Sequence, residues 1–453
     1  MKFRFAFLFL PIAFSIGLAA QDTRMVVEPW FPQLCTTVDA RLASVDGKLP
    51  AADEQKLDTA RIQRAIDRCG KGRAVMLHVD EDKNAILTGP LQLRTDVTLI
   101  VDLGVTVFAS RDPRLYDVSP GSCGVVNSAP PGCKPLISVD HAPNSGIMGD
   151  GVIDGRGGAT LLGSNIAWWD LAEQARKGGR QQVPRLIVAN HSDNFTLYRI
   201  VLRNSPNFHV VYNGGDGFTV WGVRIDTPQR GARNTDGIDP GNGAKNITIT
   251  HSFIRDGDDN VAIKGGPGGV TNMTVSDNHF YWGHGMSIGS ETQGGVSHIR
   301  VTGLSLDGPD NAIRIKSNGS RGGLTDDVIY DNVCVRNSPH PIMLDTAYTA
   351  SGTVTGNSPP SMQDIVLHDV RISGGGKITF NGYDHTHRIG VLLNGVQITD
   401  EAKYTYDVNH ADLRLGPEPT NLQLPAGNDS TIEGKPADSS PASCAAMFVP
   451  FPH

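Results

Sequence analysis

The stretch that decides the fold covers residues 246–264 and reads Asn-Ile-Thr-Ile-Thr-His-Ser-Phe-Ile-Arg-Asp-Gly-Asp-Asp-Asn-Val-Ala-Ile-Lys. It contains two short apolar runs, residues 247–250 and 260–264, which are separated by Gly and Asp. Runs of this length with a period of two predict β-strands, and Gly and Asp predict turns between them.

The opening phrase of this stretch returns along the chain, as a polar residue or Gly followed by alternating apolar and polar positions. It begins at Asn194, Gly217, Asn246, Asn272, His298, Asp327 and Asp364. Successive starts are 23 to 37 residues apart, a length typical of one coil of a solenoid. One coil cannot bury its apolar side alone, so coils must stack, with strands about 4.8 Å apart. We therefore predict an all-β fold, a single-stranded right-handed parallel β-helix over residues 75–415.

The open ends of such a stack need covers, because exposed strand edges invite aggregation. Residues 21–74 are predicted to form an N-terminal cap segment with a helix, in which Asp58 is the N-cap and Gly70 the stop. The apolar positions at helical spacing are Ile62, Ala65, Ile66 and Cys69. Residues 416–453 are rich in Pro, Ser and Gly, and we expect an irregular tail there.

Residues 156–186 interrupt the coil rhythm and predict an inserted loop with a short helix over residues 168–176. Such a loop is placed to form a wall of a groove. Trp168 and Trp169 are expected to pack this loop rather than stack on sugars.

Composition excludes one class of partner. The 453 residues contain 40 Lys and Arg against 47 Asp and Glu, a formal charge of -7, so there is no basic surplus for non-specific nucleic-acid binding. Glycine is abundant, with 52 residues, and aromatic residues make up only 6%, which favours tight turns over helical packing.

The N-terminus predicts export. Lys2 and Arg4 precede an apolar run over residues 5–18, and small residues at 17–20 offer a cleavage site, so residues 1–20 read as a signal peptide. A membrane anchor is the weaker reading, because Pro11 interrupts this short run. We expect a secreted, extracellular protein, with passage through the periplasm as one route, no membrane association after cleavage, and a monomer.

Export makes the six cysteines candidates for disulfides. Local pairing is the first expectation for two couples, Cys35 with Cys69 and Cys123 with Cys133. Two readings stay open for the others: Cys334 pairs with Cys444 and clamps the tail, or Cys334 is a buried thiol. A zinc site is the weaker alternative, because no close Cys pair accompanies a second pair of ligands.

Four polar groups fall in successive coils: Asn234-Thr235-Asp236, Gly257-Asp258-Asp259, Gly283-His284-Gly285 and Arg314-Ile315-Lys316. Asp236 and Asp258 are 22 residues apart, Asp258 and His284 are 26 apart, and His284 and Arg314 are 30 apart, each close to one coil. Stacking therefore predicts that carboxylates, an imidazole and two cations lie on one face within roughly 5 to 10 Å.

Two or three acids in a cleft suit glycoside hydrolysis, in which one neutral acid protonates the leaving oxygen while an ionised one activates water. Crowding raises the pKa of at least one member, and Asp258 beside Asp259 and Asp236 is the expected proton carrier. Neighbours in a strand point to opposite faces, so Asp258 and Asp259 share the cleft only if the backbone bends, which Gly257 permits.

Arg314 and Lys316 alternate with an apolar residue and so project from the same face of their strand. In an acidic protein, two cations beside the acids imply an anionic substrate, with a sugar carboxylate bound by the guanidinium.

In this order and spacing, the four groups resemble the signature of glycoside hydrolase family 28, the polygalacturonases, and the chain is similar to the secreted bacterial endo-acting members. The resemblance implies inverting hydrolysis of α-1,4 bonds in polygalacturonate, the acidic backbone of pectin, without a metal or other cofactor. It assigns the roles as follows: Asp258 as general acid, Asp236 and Asp259 as holders of the water, His284 beside the acid, and Arg314, Lys316, Tyr348 and Asn234 as substrate-binding residues.

Several alternatives stay open at this point. The rival enzymes are an exo-polygalacturonase, a rhamnogalacturonan hydrolase and a calcium-dependent pectate lyase, and the rival outside catalysis is a β-helical carbohydrate-binding protein. Asn234 has a turn hydrogen bond as its alternative role, while Lys264 and Asp345 are read as structural. The glycosylation motifs at Asn194, Asn246 and Asn272 lie in predicted strands, where Asn is expected to form a hydrogen-bonded ladder instead.

Overall fold

The computed structural model describes residues 21–349 and 356–452. The predicted signal peptide lies outside these ranges. Within them the regular secondary structure is mostly strand, with two α-helices, Thr59–Arg68 and Trp168–Ala175, and neither is long or apolar enough to cross a bilayer. The short 3-10 helices are Ala51–Asp53, Pro113–Tyr116, Glu401–Lys403 and Ala445–Met447.

One sheet, which we call the site sheet, takes one strand from each coil. In the described residues it has 11 strands that pair in parallel, neighbour to neighbour, along the stack. Its strands are Leu91–Gln92, Ile137–Asp140, Ile187–Asn190, Val210–Asn213, Ile238–Gly241, Val261–Ile263, Met286–Ile288, Asn311–Lys316, His340–Asp345, Gly376–Asn381 and Tyr404–Asn409.

A second, larger sheet covers the remaining sides of the coils, and it too is parallel wherever strands pair. Its strands are Leu34–Asp39, Arg73–His78, Ala85–Thr88, Val97–Val101, Thr106–Ala109, Gly146–Met148, Val152–Asp154, Phe195–Tyr198, Val201–Arg203, Asp216–Trp221, Arg224–Asp226, Ala244–Thr250, Phe253–Arg255, Val270–Ser276, His279–Phe280, Val296–Asp307, Leu324–Arg336, Ser361–Met362, Ile365–Ser373, Ile389–Ile398, Ala411–Leu415 and Thr431–Glu433.

The repeated phrase has a conformational cause. Every one of its seven starting residues has a positive φ, from 49° at Asp327 to 96° at Gly217. Gly, Asn and Asp adopt this left-handed conformation more readily than other residues, which explains why they open the strands. The apolar residue that follows each start pairs with its counterpart one coil on, as Phe195 does with Phe218 and Ile247 with Met273. These columns fill the interior of the helix.

Asparagine ladders run along the outside of the turns, as expected from the sequence. Asn194 donates to the side chain of Asn144 at 3.1 Å, and Asn272 donates to Asn246 at 3.4 Å. Each amide therefore bonds its neighbour one coil away, which ties the turns of the stack together.

The predicted capping helix is present as Thr59–Arg68, with Ile62 and Ile66 buried against the first coils. Asp58 stands at its N-cap, but its carboxylate bonds the guanidinium of Arg61 at 2.8 Å and makes no capping hydrogen bond. Parallel pairing extends beyond residues 75–415 at both ends, because Leu34–Asp39 pairs with the first long strand and Thr431–Glu433 with the last.

The inserted loop contains the helix Trp168–Ala175 and the strand Arg180–Gln182, which pairs antiparallel with Val125–Asn127. Trp168 is buried and meets Tyr116 edge to face at 5.9 Å, and the Trp169 indole N–H donates to a backbone carbonyl. Both tryptophans pack the loop, as predicted.

Three disulfides close the fold. The two local pairs, Cys35–Cys69 and Cys123–Cys133, are as expected from the sequence, and the open question is resolved in favour of the third, Cys334–Cys444. Beyond this last bond the tail returns along the stack, and the ring of Phe451 lies 3.8 Å from the Arg255 guanidinium carbon. The ring centre of Trp282 lies 4.7 Å from the same guanidinium carbon.

Candidate active site

The predicted site residues converge on one side of five neighbouring strands of the site sheet. Asp236, Asp259 and His284 each stand two residues before a strand, at Ile238–Gly241, Val261–Ile263 and Met286–Ile288. Paired strands superimpose these positions one coil apart. Arg314 and Lys316 lie on the next strand, Asn311–Lys316, and Tyr348 follows the strand after that.

The loop that carries Asp258 and Asp259 bends away from regular strand geometry, as both acids require to share a cleft. A Cβ at Gly257 would lie 2.0 Å from the carbonyl oxygen of Ala232, so only glycine fits between the coils here. The backbone N–H of Asn234 then donates to Oδ2 of Asp258 at 3.2 Å. This contact joins two of the predicted motifs directly.

Asp259 is buried under cations. Its Oδ1 accepts from Arg314 at 2.9 Å and from the Ser287 hydroxyl at 2.7 Å, and its Oδ2 accepts from Lys316 at 2.8 Å. Arg314 and Lys316, predicted to bind substrate, therefore have a partner inside the protein that the sequence did not indicate. They are only 6% and 4% exposed, so they present little more than their remaining donors to the cleft.

Lys264, which the sequence analysis reads as structural, is a member of this cluster. Its ammonium lies 3.3 Å from a carboxylate oxygen of Asp236 and 3.7 Å from one of Asp259. Nearby, Asp239 is buried with neither carboxylate oxygen hydrogen-bonded within the described part of the chain. Asp239 follows Asp236 by three positions and Lys264 follows Asp259 by five, and this closeness in sequence is the signal that would have located them.

Electrostatics divides the acids into two kinds. Burial, together with the carboxylate of Asp239, raises the pKa of Asp236 well above its ordinary value, and burial raises the pKa of Asp239 to about 7. Burial also opposes ionisation of Asp259, but the surrounding cations outweigh it and hold the pKa of Asp259 below its usual range. Among these acids, Asp236 and Asp239 therefore hold a proton more readily than Asp259 does.

His284 is oriented from both sides. Its Nδ1 lies 2.5 Å from Asp310, its Nε2 lies 3.8 Å from Asp258, and its backbone N–H donates to the Asp258 carbonyl. Burial alone would lower the pKa of His284, but the hydrogen bond to Asp310 and the nearby carboxylates raise it above its ordinary value. Asp310 has no counterpart in the predicted motifs and was not expected from the sequence.

Tyr348 and Asn234 close the site at its two ends. The Tyr348 ring centre lies 5.2 Å from both the Arg314 guanidinium carbon and the Lys316 ammonium. Asn234 has a φ of 56°, and its side-chain oxygen accepts from Gln181 of the inserted loop at 3.0 Å. Asn234 therefore adopts a left-handed turn conformation, and its side chain attaches the inserted loop to the cleft.

Three carboxylates, Asp236, Asp258 and Asp259, each place an oxygen within 4.8 Å of the other two. Such spacing suits a cation, as the lyase alternative would require. Here Lys264 already stands against Asp236 and Asp259, and two further cations bond Asp259. These ammonium and guanidinium groups lie beside the carboxylates and would repel a divalent ion.

The chain matches the family model described as glycosyl hydrolases family 28 over residues 69–414. An endo-polygalacturonase of Pectobacterium carotovorum subsp. carotovorum is 42% identical over 86% of this chain and 93% of its own. The protein belongs to glycosyl hydrolase family 28.

Two further matches support this family assignment. A polygalacturonase of Ralstonia nicotianae is 36% identical over 94% of this chain and 92% of its own. The solved polygalacturonase from Erwinia carotovora ssp. carotovora is 41% identical, with a TM-score of 0.80 over 87% of this chain and 100% of that one. The family 28 resemblance and the right-handed parallel β-helix predicted from the sequence are confirmed, and the chain is a glycoside hydrolase.

Proposed function

We propose that this family 28 protein is a secreted endo-polygalacturonase that hydrolyses α-1,4-galacturonosyl bonds in polygalacturonate. The observation that carries the proposal is the convergence of Asp236, Asp258 and Asp259 with three cations in one cleft of an acidic protein. Carboxylates supply acid and base, and the cations offset the negative charge that a uronic-acid polymer brings. The names of the bacterial relatives support the same substrate.

The roles follow from contacts. Asp258 is the most accessible of the three acids, with 18% of its side chain exposed, and it acts as the general acid toward the leaving oxygen. Asp236 and Asp259 hold the water. Of the two, Asp236 is the stronger base when ionised, since its pKa is raised, and it takes the water's proton while Asp259 stays ionised.

Inversion is the proposed stereochemical outcome. One oxygen of each acid lies within 4.8 Å of an oxygen of the other two, whereas inverting glycosidases usually separate their two carboxyl groups by roughly 6.5 to 9.5 Å. However, Asp259 is a poor nucleophile, because both its oxygens are bonded to Arg314, Lys316 or Ser287. A water held between Asp236 and Asp259 therefore attacks the sugar directly, and no covalent intermediate between sugar and enzyme forms.

Export is proposed from the predicted signal peptide, and the three disulfides agree with an oxidising environment. Endo action is supported by a cleft beside which the described residues place no large inserted domain.

Incubation with polygalacturonate and a chelator tests the function. We expect new reducing ends, a spread of intermediate product lengths, a first product of inverted anomeric form by NMR, and no ultraviolet-absorbing unsaturated ends. Unsaturated ends that disappear with chelator would establish a lyase, and release of single sugar units alone would establish exo action. Binding without any cleavage would leave a carbohydrate-binding protein.

A further inference from the structure

The positions two residues before each strand of the site sheet form a column along the cleft. It contains Asp236, Asp259 and His284, and toward the N-terminus it continues through Phe208 and Arg185, which precede Val210–Asn213 and Ile187–Asn190. Backbone hydrogen bonds confirm the stacking: the N–H after Arg185 donates to the carbonyl of Phe208, and the N–H after Phe208 donates to that of Asp236. Arg185 thus stands two coils, or about 10 Å, from the nearest catalytic acid.

A cavity of about 410 Å³ opens at this end of the column. That volume lies in the roughly 300 to 1,000 Å³ range of ligand pockets. Its described lining includes Arg185, Arg180, Asn207 and Phe208 and no Asp or Glu, in a chain where acids outnumber bases. Asn234 also lines it, and the backbone N–H of Asn234 bonds Asp258, so the cavity adjoins the catalytic acids.

The wall of the cavity is held in place by hydrogen bonds and by a disulfide loop. The inserted loop forms its wall, and the buried Gln182 accepts from the N–H of Gly132 at 2.8 Å, which fastens the disulfide loop of Cys123–Cys133 to that wall. Phe208 forms an apolar surface between two cations, with the Arg185 guanidinium carbon 5.0 Å and the Lys264 ammonium 5.8 Å from its ring centre.

The guanidinium of Arg185 has N–H donors that are available to a ligand. Within residues 21–349 and 356–452, no carboxylate lies within ion-pair distance of its guanidinium, whereas Arg314 bonds Asp259. A planar guanidinium matches a carboxylate with two parallel hydrogen bonds, and an aromatic ring matches the apolar face of a sugar.

We propose that Arg185, supported by Phe208, binds the carboxylate of a galacturonosyl unit two coils to the N-terminal side of the catalytic acids. The inference rests on the proposed function and extends it to a substrate subsite. Arg185 would therefore determine specificity for a longer acidic chain rather than take part in bond cleavage.

Kinetics with polygalacturonate and with oligogalacturonates of increasing length test this subsite in Arg185→Gln. We expect KM for polygalacturonate to rise about 10- to 100-fold, with a much smaller change in kcat. The shortest oligomer that is cleaved should show the wild-type KM, because it does not reach the cavity. Arg185→Lys should fall between the two proteins. The matched control is Arg176→Gln, which removes an arginine of the same loop that pairs with Glu173.

Equal KM values for wild type and Arg185→Gln on long substrates would overturn the subsite. So would a loss of the same size at every length together with a shifted pH profile, since Arg185 would then act through the neighbouring acids. Failure of the proposed function appears separately, as a wild-type protein that does not cleave polygalacturonate. Calorimetric binding of intact oligogalacturonate to both proteins still decides the subsite in that case, and thermal unfolding verifies that each variant folds.

Discussion

Asp258 is the acid on which turnover depends at the scale of single residues. Among the described residues, its oxygens accept hydrogen bonds from the N–H groups of Asn234 and Asp259 and lie near His284 at longer range, so a neutral isostere disturbs little of the fold. We expect Asp258→Asn to lower kcat by about 10²- to 10⁴-fold, the usual contribution of general acid catalysis, with an unchanged melting temperature.

The control for this variant is Asp140→Asn, which alters an exposed acid at the end of another strand of the same sheet. It should retain wild-type turnover. Full activity in Asp258→Asn would remove the acid assignment.

The pair of His284 and Asp310 predicts a pH effect. Asp310 helps raise the pKa of His284, so the imidazole keeps its proton to a higher pH than usual. Asp310→Asn removes that carboxylate and lowers the pKa of His284. If the cationic imidazole assists Asp258, the alkaline limb of kcat/KM moves to lower pH, because the proton is now lost earlier as pH rises.

The measurement is the pH profile of kcat/KM with an NMR titration of the imidazole. The control is Asp331→Asn, which removes the partner of His368, another histidine of raised pKa, at 2.7 Å and outside the cleft. It should leave the activity profile in place. An unmoved profile in Asp310→Asn, despite a lowered pKa of His284, would show that the charge of this histidine does not matter.

At the scale of elements, the loop around Gly257 sets the geometry of two acids. A methyl group there meets the Ala232 carbonyl at 2.0 Å, so one backbone must move. We expect Gly257→Ala to lower stability by about 1 to 3 kcal/mol and to reduce kcat at least tenfold, because Asp258 loses its contact with Asn234.

Urea unfolding and initial rates measure both effects. Gly70→Ala is the control, since the nearest atom to its added Cβ is a flexible arginine carbon at 3.8 Å. Wild-type activity in Gly257→Ala would mean that the loop tolerates displacement.

At the scale of the whole molecule, disulfides hold segments that lie far apart in sequence. Cys334–Cys444 spans 110 residues and secures the tail, whereas Cys35–Cys69 spans 34. In the chain-entropy model a longer loop gives greater stabilisation, about 5 kcal/mol for the first and about 4 for the second. The double serine variant of the tail pair should therefore lose more stability than that of the N-terminal pair.

Thermal unfolding of the two double variants, compared with wild type, tests this order. The reverse order would show that strain or tail packing, rather than chain entropy, governs the effect of the tail bond.

The sequence by itself determined the β-helix, its coil length and the four motifs in register. It did so because left-handed turn residues and alternating apolar positions recur locally, where chain spacing translates directly into stacking. The spacing brought the motifs to neighbouring coils, but strand pairing aligns Asp236 with Asp259 and His284, one residue away from the Asp258 that the spacing indicated.

Only the tertiary structure decided which charges meet. Lys264 on Asp236, Arg314 and Lys316 on Asp259, and Asp310 on His284 depend on side-chain direction and on the depth of each group. Spacing along the chain contains no information on either. The pKa of each acid follows from those contacts and from burial. The separate roles of the carboxylates could therefore be assigned only from the tertiary structure.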